Sequence, residues 1–252
     1  MNEPIVELVE VSKRFGSLTV LDKVSMKLPR GETTVIVGPS GTGKSTLIKL
    51  LVGLLRPDEG HVLVGGMDVT TMGRTELMRI RQRFGMLFQD GALFHSMTVA
   101  QNVAFPLRHH TSLTREEQYV RAEAALAEVG LPGLGERRPD QLSGGQRKRV
   151  GLARALVLQP EIVLFDEPTS GLDPVTSAAI DELIVNTRQR LGLTFIVITH
   201  DVQSCARIAD NIGMLWEGQL RAFGPRDDVL KSQDPVVRQF FDRQSAGPIK
   251  VV

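Results

Sequence analysis

Apolar and polar residues alternate from Ile5 to Val11 and again from Thr19 to Leu28, the period of strands that bury one face. Thr33-Thr34-Val35-Ile36-Val37 is a short apolar strand that feeds directly into a glycine-rich stretch, Gly38 to Ser45. From Lys44 to Leu55 the pattern predicts a buried helix, stopped by Arg56-Pro57-Asp58-Glu59-Gly60, and His61 to Val64 returns as a strand. Phe84 to Phe88 reads as a strand leading to Gln89. Beyond it, Asp90 to Arg108 reads as loop-rich, yet it carries Leu93, Phe94, Met97, Val99, Phe105 and Leu107, an apolar load unusual for a connector.

Helical spacing returns at Thr114 to Val129, where Thr114 and Glu117 are placed for a capping box, and again from about Ser143 to Leu158. Residues 90–160 are therefore expected to form a mainly helical insertion. Ile162-Val163-Leu164-Phe165 is a continuous apolar run of the kind buried on both faces of a parallel sheet, and it ends in Asp166-Glu167-Pro168. A helix over Pro174 to Leu191, a strand over Thr194 to Ile198 ending at Thr199-His200, and a helix over Asp201 to Ile208 follow. This alternation predicts a doubly wound α/β core. Short helical pieces at Asp227 to Lys231 and Pro235 to Phe241 lead to a tail ending Gly247-Pro248-Ile249-Lys250-Val251-Val252. The expected division is a core of residues 1–89 and 161–230, a helical subdomain of 90–160, and a tail of 231–252.

With 252 residues the chain lies near the upper end of a single domain. Lys plus Arg number 30 against 29 Asp plus Glu, which offers no basic footprint for nucleic acid. Cys205 has no second cysteine to pair with, which fits a reducing compartment. The start, Met1 to Glu7, lacks the basic and then apolar regions of a secretory signal, so the protein is expected to stay where it is made. The most apolar stretch, Leu47 to Leu55, is interrupted by Lys49 and is far shorter than the roughly 20 residues of a membrane helix. A membrane role would come through a partner.

Gly38-Pro39-Ser40-Gly41-Thr42-Gly43-Lys44-Ser45 has every fixed position of a phosphate-binding loop, in the required strand, loop and helix setting. Its glycines let successive N–H groups converge on phosphates, Lys44 adds a full charge, and Ser45 offers a hydroxyl to magnesium. Asp166 is placed to hold that ion through water, and Glu167 to polarise an attacking water. Ser143, Gly144 and Gly145 open a helix with backbone N–H groups that an anion can approach closely.

The run Leu142-Ser143-Gly144-Gly145-Gln146, about a hundred residues after the phosphate loop, resembles the signature of the ATP-binding-cassette family. The resemblance extends over residues 5 to 230. It implies a P-loop NTPase fold of RecA-like kind, a mixed sheet core with antiparallel strands and an inserted α-helical subdomain, and it implies ATP with Mg2+ as cofactors. ATP would be held by Gly38 through Ser45 with Thr46 of one copy, and capped by Ser143, Gly144, Gly145 and Gln146 of a second copy, with Ser170-Gly171-Leu172-Asp173 in contact across the dimer. His200 matches the histidine that contacts the gamma phosphate. Gln89 matches the glutamine that senses magnesium and water. Phe15 matches the aromatic that stacks on adenine; a core phenylalanine is the other reading of it.

Narrower runs, Gly85 to Phe94, Asn102 to Arg108 and Asp234 to Phe240, resemble the ATPase of the Mla/Mce-type lipid transporters. That implies an ATPase that energises phospholipid movement, peripheral on the cytoplasmic face of a bacterial inner membrane. Its partners would be a permease, a membrane-anchored Mce-type lipid-binding subunit and, in some relatives, a small cytoplasmic regulatory subunit. An importer ATPase for a small solute such as an amino acid or ion would share every catalytic residue. Leu93, Phe94, Met97 and Phe105 would form either a groove for a short permease helix or a local core. Ile249, Val251 and Val252 would pack on a neighbouring subunit.

Overall fold

The computed structural model describes residues 4–89 and 91–250, so Asp90, Val251 and Val252 lie outside the described residues. Along the chain the elements are β1 (Pro4–Phe15), β2 (Leu18–Pro29), β3 (Thr33–Val37), α1 (Lys44–Leu51), β4 (Glu59–Val64), β5 (Met67–Asp68), α2 (Arg74–Arg81) and β6 (Phe84–Leu87). Then come α3 (Val99–His110), α4 (Arg115–Glu128), a 3-10 turn (Pro139–Gln141), α5 (Gly144–Leu156), β7 (Ile162–Asp166), α6 (Pro174–Leu191) and β8 (Thr194–Ile198). The last are α7 (Val202–Ile208), β9 (Asn211–Trp216), β10 (Gln219–Pro225), α8 (Arg226–Leu230) and α9 (Pro235–Phe241). The chain forms two compact units, one running up to Arg81 and resuming at Ile196, the other being Gln82–Phe195.

In the first unit, β1 and β2 form an antiparallel hairpin paired from Phe15 and Leu18 to Pro4 and Pro29, and β4 adds to the other edge of β1. The predicted strand at Val11 in fact runs on to Phe15. A bulge explains the difference: Glu10 takes φ 48 and the pairing slips between Leu8 and Val11, so the side-chain alternation is interrupted there. All five residues of β3 are buried, and β3 pairs in parallel with β9, Thr34 opposite Asn211 through Val37 opposite Met214. β9 and β10 make a second hairpin whose two turn residues, Glu217 and Gly218, both have positive φ, as a type I′ turn requires. β5, α2, β9 and β10 are elements that the hydrophobic pattern does not predict. α1 ends at Leu51, short of the predicted Leu55, and the N–H groups of Leu54 and Leu55 fold back to the Lys49 carbonyl.

In the second unit, β6 and β7 run parallel, Phe84 opposite Ile162 through Leu87 opposite Phe165. The Phe165 ring meets that of Phe195 at a centroid distance of 4.9 Å in the core. The expectation of a loop-rich segment to Arg108 is corrected from Val99 onward, because α3 occupies Val99–His110. Thr98 and Gln101 close its start with a reciprocal capping box, while Val99, Val103 and Leu107 bury one face. Buried Asn102 accepts the Phe94 N–H at 2.7 Å and donates to the Phe94 and Thr98 carbonyls at 3.1 and 2.9 Å, tying the preceding loop to the helix. Parallel and antiparallel pairing together with flanking helices make this an α/β fold with a mixed sheet, as predicted.

Candidate functional site

The first unit supplies the phosphate loop. β3 ends at Val37, the chain turns through Gly38 to Gly43, and α1 starts at Lys44. Helices α3, α4, α5, α6, α7 and α9 are each closed by a side chain, namely Thr98, Thr114, Ser143, Asp173, Asp201 and Asp234. By contrast α1 begins at Gly43 with no side-chain cap among the described residues. A helix start of this kind suits an anion, and the helix dipole favours one. Gly38 is required sterically: it takes φ 148, and a Cβ there would run into the Leu215 carbonyl oxygen. Lys44 is only 8% exposed and donates from Nζ to the Gly38 and Pro39 carbonyls, both at 2.7 Å. Thr42 Oγ1 donates to the Pro39 carbonyl at 3.0 Å. Ser40, Gly41 and Ser45 are exposed, and Pro39 and Thr46 half-buried.

Phe15 sits at the end of β1 with 48% of its surface exposed, so it is no core residue. Asp58 pins this strand end by accepting the Arg14 N–H at 2.6 Å and Lys13 Nζ at 3.0 Å, bonds that hold its carboxyl below the ordinary range. Lys13 Nζ lies 5.5 Å from the centroid of the Phe15 ring. His200 is exposed directly after β8. On one side of it Thr199 donates its N–H to the Ile36 carbonyl of β3 at 3.3 Å, and on the other Asp201 caps α7.

The second unit supplies the carboxylates and the glycine-opened helix. β7 delivers Asp166, and Glu167 follows with φ 52, a left-handed backbone that residues bearing a Cβ rarely adopt. The Glu167 carbonyl accepts Lys148 Nζ and the Ser170 N–H, each at 3.2 Å. Gln89 Nε2 donates to Ser170 Oγ at 3.3 Å, which brings Gln89 beside the segment that follows the acidic pair. Asp173 is spent locally: its carboxylate accepts the N–H groups of Val175 and Thr176 and the Thr176 hydroxyl, which keeps it below the ordinary carboxylate range.

At the start of α5, Ser143 Oγ accepts the Gln146 N–H at 3.2 Å and Gln146 Oε1 accepts the Ser143 N–H at 3.0 Å. This box leaves the Gly144 and Gly145 N–H groups as orphan donors of the first turn. Farther along α5, Arg147 and Arg149 donate to the carbonyls of Leu142 and Val129. Arg154 forks onto the carbonyls of Gly91 and Ala92 at 2.7 and 2.8 Å. Lys148, buried to 4% exposure, is the functional candidate that the sequence reading misses. Its signal was available, since it falls between Gly145 and Leu152 at helical spacing on the buried face of α5.

Ser45, Gln89 and Asp166 each carry a side-chain oxygen, the atom type that magnesium takes as ligand. A glycine loop between a buried strand and an open helix, together with an acidic pair ending a second buried strand, defines a nucleoside triphosphatase of the P-loop class. The profile of the ABC transporter family matches residues 21–170, and the chain belongs to that family. It is an ATPase of the transport-coupled kind.

Among relatives, the "Probable ribonucleotide transport ATP-binding protein mkl" of Mycobacterium leprae is 47% identical over 97% of this chain and 70% of its own length. The "Intermembrane phospholipid transport system ATP-binding protein MlaF" of Escherichia coli is 40% identical over 97% of this chain and 91% of its own. The dimeric post-hydrolysis ATP-binding cassette MJ0796, bound to ADP and Pi, superposes with a TM-score of 0.79 at 33% identity, covering 88% of this chain and 98% of that one. Among the described residues, no helix is long and apolar enough to cross a membrane.

Proposed function

We propose that this ATPase powers phospholipid movement between the membranes of a bacterial envelope. The observation that carries the reading is the match to the phospholipid-transport protein MlaF, which extends over nearly the whole of both chains. Two copies would act together, each holding ATP with Gly38 through Thr46 and capping the other's nucleotide with Ser143 through Gln146. Phe15 stacks on the base, and its exposure at a braced strand end supports that role. Ser45, Gln89 and Asp166 hold magnesium, which when bound neutralises phosphate charge. Glu167 takes the proton of the attacking water and His200 contacts the gamma phosphate. Asp173 acts across the dimer through its place at the start of α6, its carboxylate being engaged there.

A permease is the membrane partner. A cavity of about 330 Å³ between α3 and α4 supports it, lined among others by Met97, Ala104, Phe105 and Tyr119, with Arg108 and Arg115 at its margin. Phe94 is exposed and its ring meets Phe105 at 4.8 Å, whereas Leu93 is buried and belongs to the local core. A membrane-anchored Mce-type subunit and a small regulatory subunit complete the assembly on the cytoplasmic face of the inner membrane. The tail is held within its own chain at Ile249, whose N–H and carbonyl both bond the side-chain amide of Gln239.

The word ribonucleotide in the name of Mkl favours a second reading, a soluble anionic cargo. Affinity purification from native membranes, with mass spectrometry of the recovered subunits and lipids, separates the two. Recovery of a permease with a lipid-binding anchored subunit and bound phospholipid is expected. A solute permease and its receptor, without either, would overturn the lipid assignment.

A further inference from the structure

We infer that Lys148 is a positioning residue for Glu167, tying the helix that opens at Ser143 to the backbone of the acidic pair. The inference rests on Glu167 being the base proposed above. Burying an ammonium group is costly, and one that remains buried needs partners that repay its lost hydration. Here one of those partners is the Glu167 carbonyl, 3.2 Å from Nζ.

The residue that carries that carbonyl is itself in an unfavourable backbone state, with φ 52. Such a conformation persists only where the surroundings over-determine it. The Ser170 N–H addresses the same oxygen from the chain that follows, also at 3.2 Å. With both lone pairs of the carbonyl engaged, the peptide plane is fixed, and the direction of the Glu167 Cα–Cβ bond is fixed with it. The clamp thus aims the carboxylate through the backbone.

Lys148 lies four residues after Gly144, so it stands on the same face of α5, one turn below the orphan N–H groups. Whatever seats the first turn of α5 therefore also seats the clamp. Gln89 joins the same network through Ser170 Oγ, so the residue after β6 and the residue after β7 share one anchor. Since α5 caps the nucleotide of the other copy while Glu167 serves that of its own, Lys148 links the capping of one site to the aim of the base in the other.

The test uses the full chain in its assembled transporter, with kcat, KM for ATP, direct ATP titration and Tm measured on each variant. Lys148→Met keeps the stem and removes the donor; kcat is expected to fall about 10- to 100-fold, with ATP affinity changed by less than about twofold. Lys148→Arg, which retains a charged donor, is expected to recover most of the rate. In a Glu167→Gln background, adding Lys148→Met is expected to leave the residual turnover unchanged, because no base remains to be aimed.

Full turnover in Lys148→Met while Glu167→Gln is inactive would overturn the inference alone. So would a multiplicative loss in the double variant, or a fall in kcat matched by an equal loss of ATP affinity. Full turnover in Glu167→Gln would remove the base assignment itself, a separate and distinguishable failure that takes the inference with it. Should Lys148→Met not fold, Lys148→Gln carries the same comparison with the same outcomes, since its shorter side chain cannot reach the carbonyl.

Discussion

Gly145 of α5 lies so close to Thr176 of α6 that a Cβ at position 145 would sit 2.7 Å from the threonine Cγ2. The sequence reading assigns the small size of this residue to the approach of an anion; the structure adds that the helix pair has no room for a methyl group. Gly145→Ala is expected to destabilise by about 1–3 kcal/mol through overpacking. Adding Thr176→Ser, which deletes the clashing methyl and keeps the hydroxyl that bonds Asp173, is expected to restore most of the loss. Denaturant unfolding of the two variants checks this; equal stability of single and double would remove Thr176 as the obstacle.

Lys44 joins two loop carbonyls and offers its charge to the phosphates. Lys44→Ala is expected to weaken ATP binding by about 10- to 100-fold, the range of a lost charge-assisted contact. Isothermal titration with ATP and magnesium measures it, and unchanged affinity would contradict the loop geometry as a phosphate cradle.

Phe15→Ala is expected to raise the dissociation constant for ATP by about 5- to 100-fold, as for other lost base-stacking platforms, while Phe15→Tyr leaves it close to wild type. The exposed ring contributes little to the core, so Tm should barely move. GTP binding should suffer as much as ATP binding, because a flat apolar face reads no base edge. Wild-type affinity in Phe15→Ala would end the stacking role.

Much of this was legible in the chain, for reasons that differ by element. β3, the phosphate loop and the start of α1 were readable because a fully buried strand is a run of apolar residues and the loop spacing is dictated by phosphate chemistry. α5 was readable from its cap, Ser143, and it ends at Leu156, just short of the expected Leu158. α3 was hidden because Pro106 and the aromatics Phe94 and Phe105 imitate an irregular connector. Its visible signal, Thr98 three residues before Gln101, is short and local. β9 and β10 were hidden because Gly213 and Gly224 dilute the strand pattern, although Glu217-Gly218 between them marks the turn. Lys148 was hidden among Arg147 and Arg149, where a charge run reads as a solvated face.

Acid stability follows from the helix caps. Thr176 holds Asp173 below the ordinary carboxylate range, the Thr114 N–H does so for Glu117, and the Arg221 guanidinium does so for Asp234. A depressed folded value means that the unfolded chain binds protons first as pH falls. The stabilisation is therefore complete above the unfolded values near about 4 and is lost as pH drops through the folded ones. Tm should be level from neutral pH to about 5 and decline below about 4. Asp173→Ala should lower Tm by about 2–4 °C at neutral pH. That gap should close in acid, and a gap that persisted under strongly acidic conditions would mean that the carboxylate charge is not what stabilises α6.

Cys205 is buried, and burial, aided by the nearby Asp201 charge, pushes its thiol up to about 12. Iodoacetamide at pH 8 should leave the folded protein unmodified and label it fully in denaturant. Modification of the folded chain at the rate of a free thiol would place Cys205 in reach of solvent.

The fork of Arg154 on Gly91 and Ala92 has a mechanical meaning. Thirteen residues of α5 span about 20 Å, with Ser143 at one end and, near the other, a guanidinium that grips the loop beyond Gln89. Two charge-assisted bonds in a fork resist both sliding and rotation of the loop on the helix. Force applied to that loop is therefore delivered as a tilt of the rod, and the end that swings farthest from the grip is the serine and its two glycines.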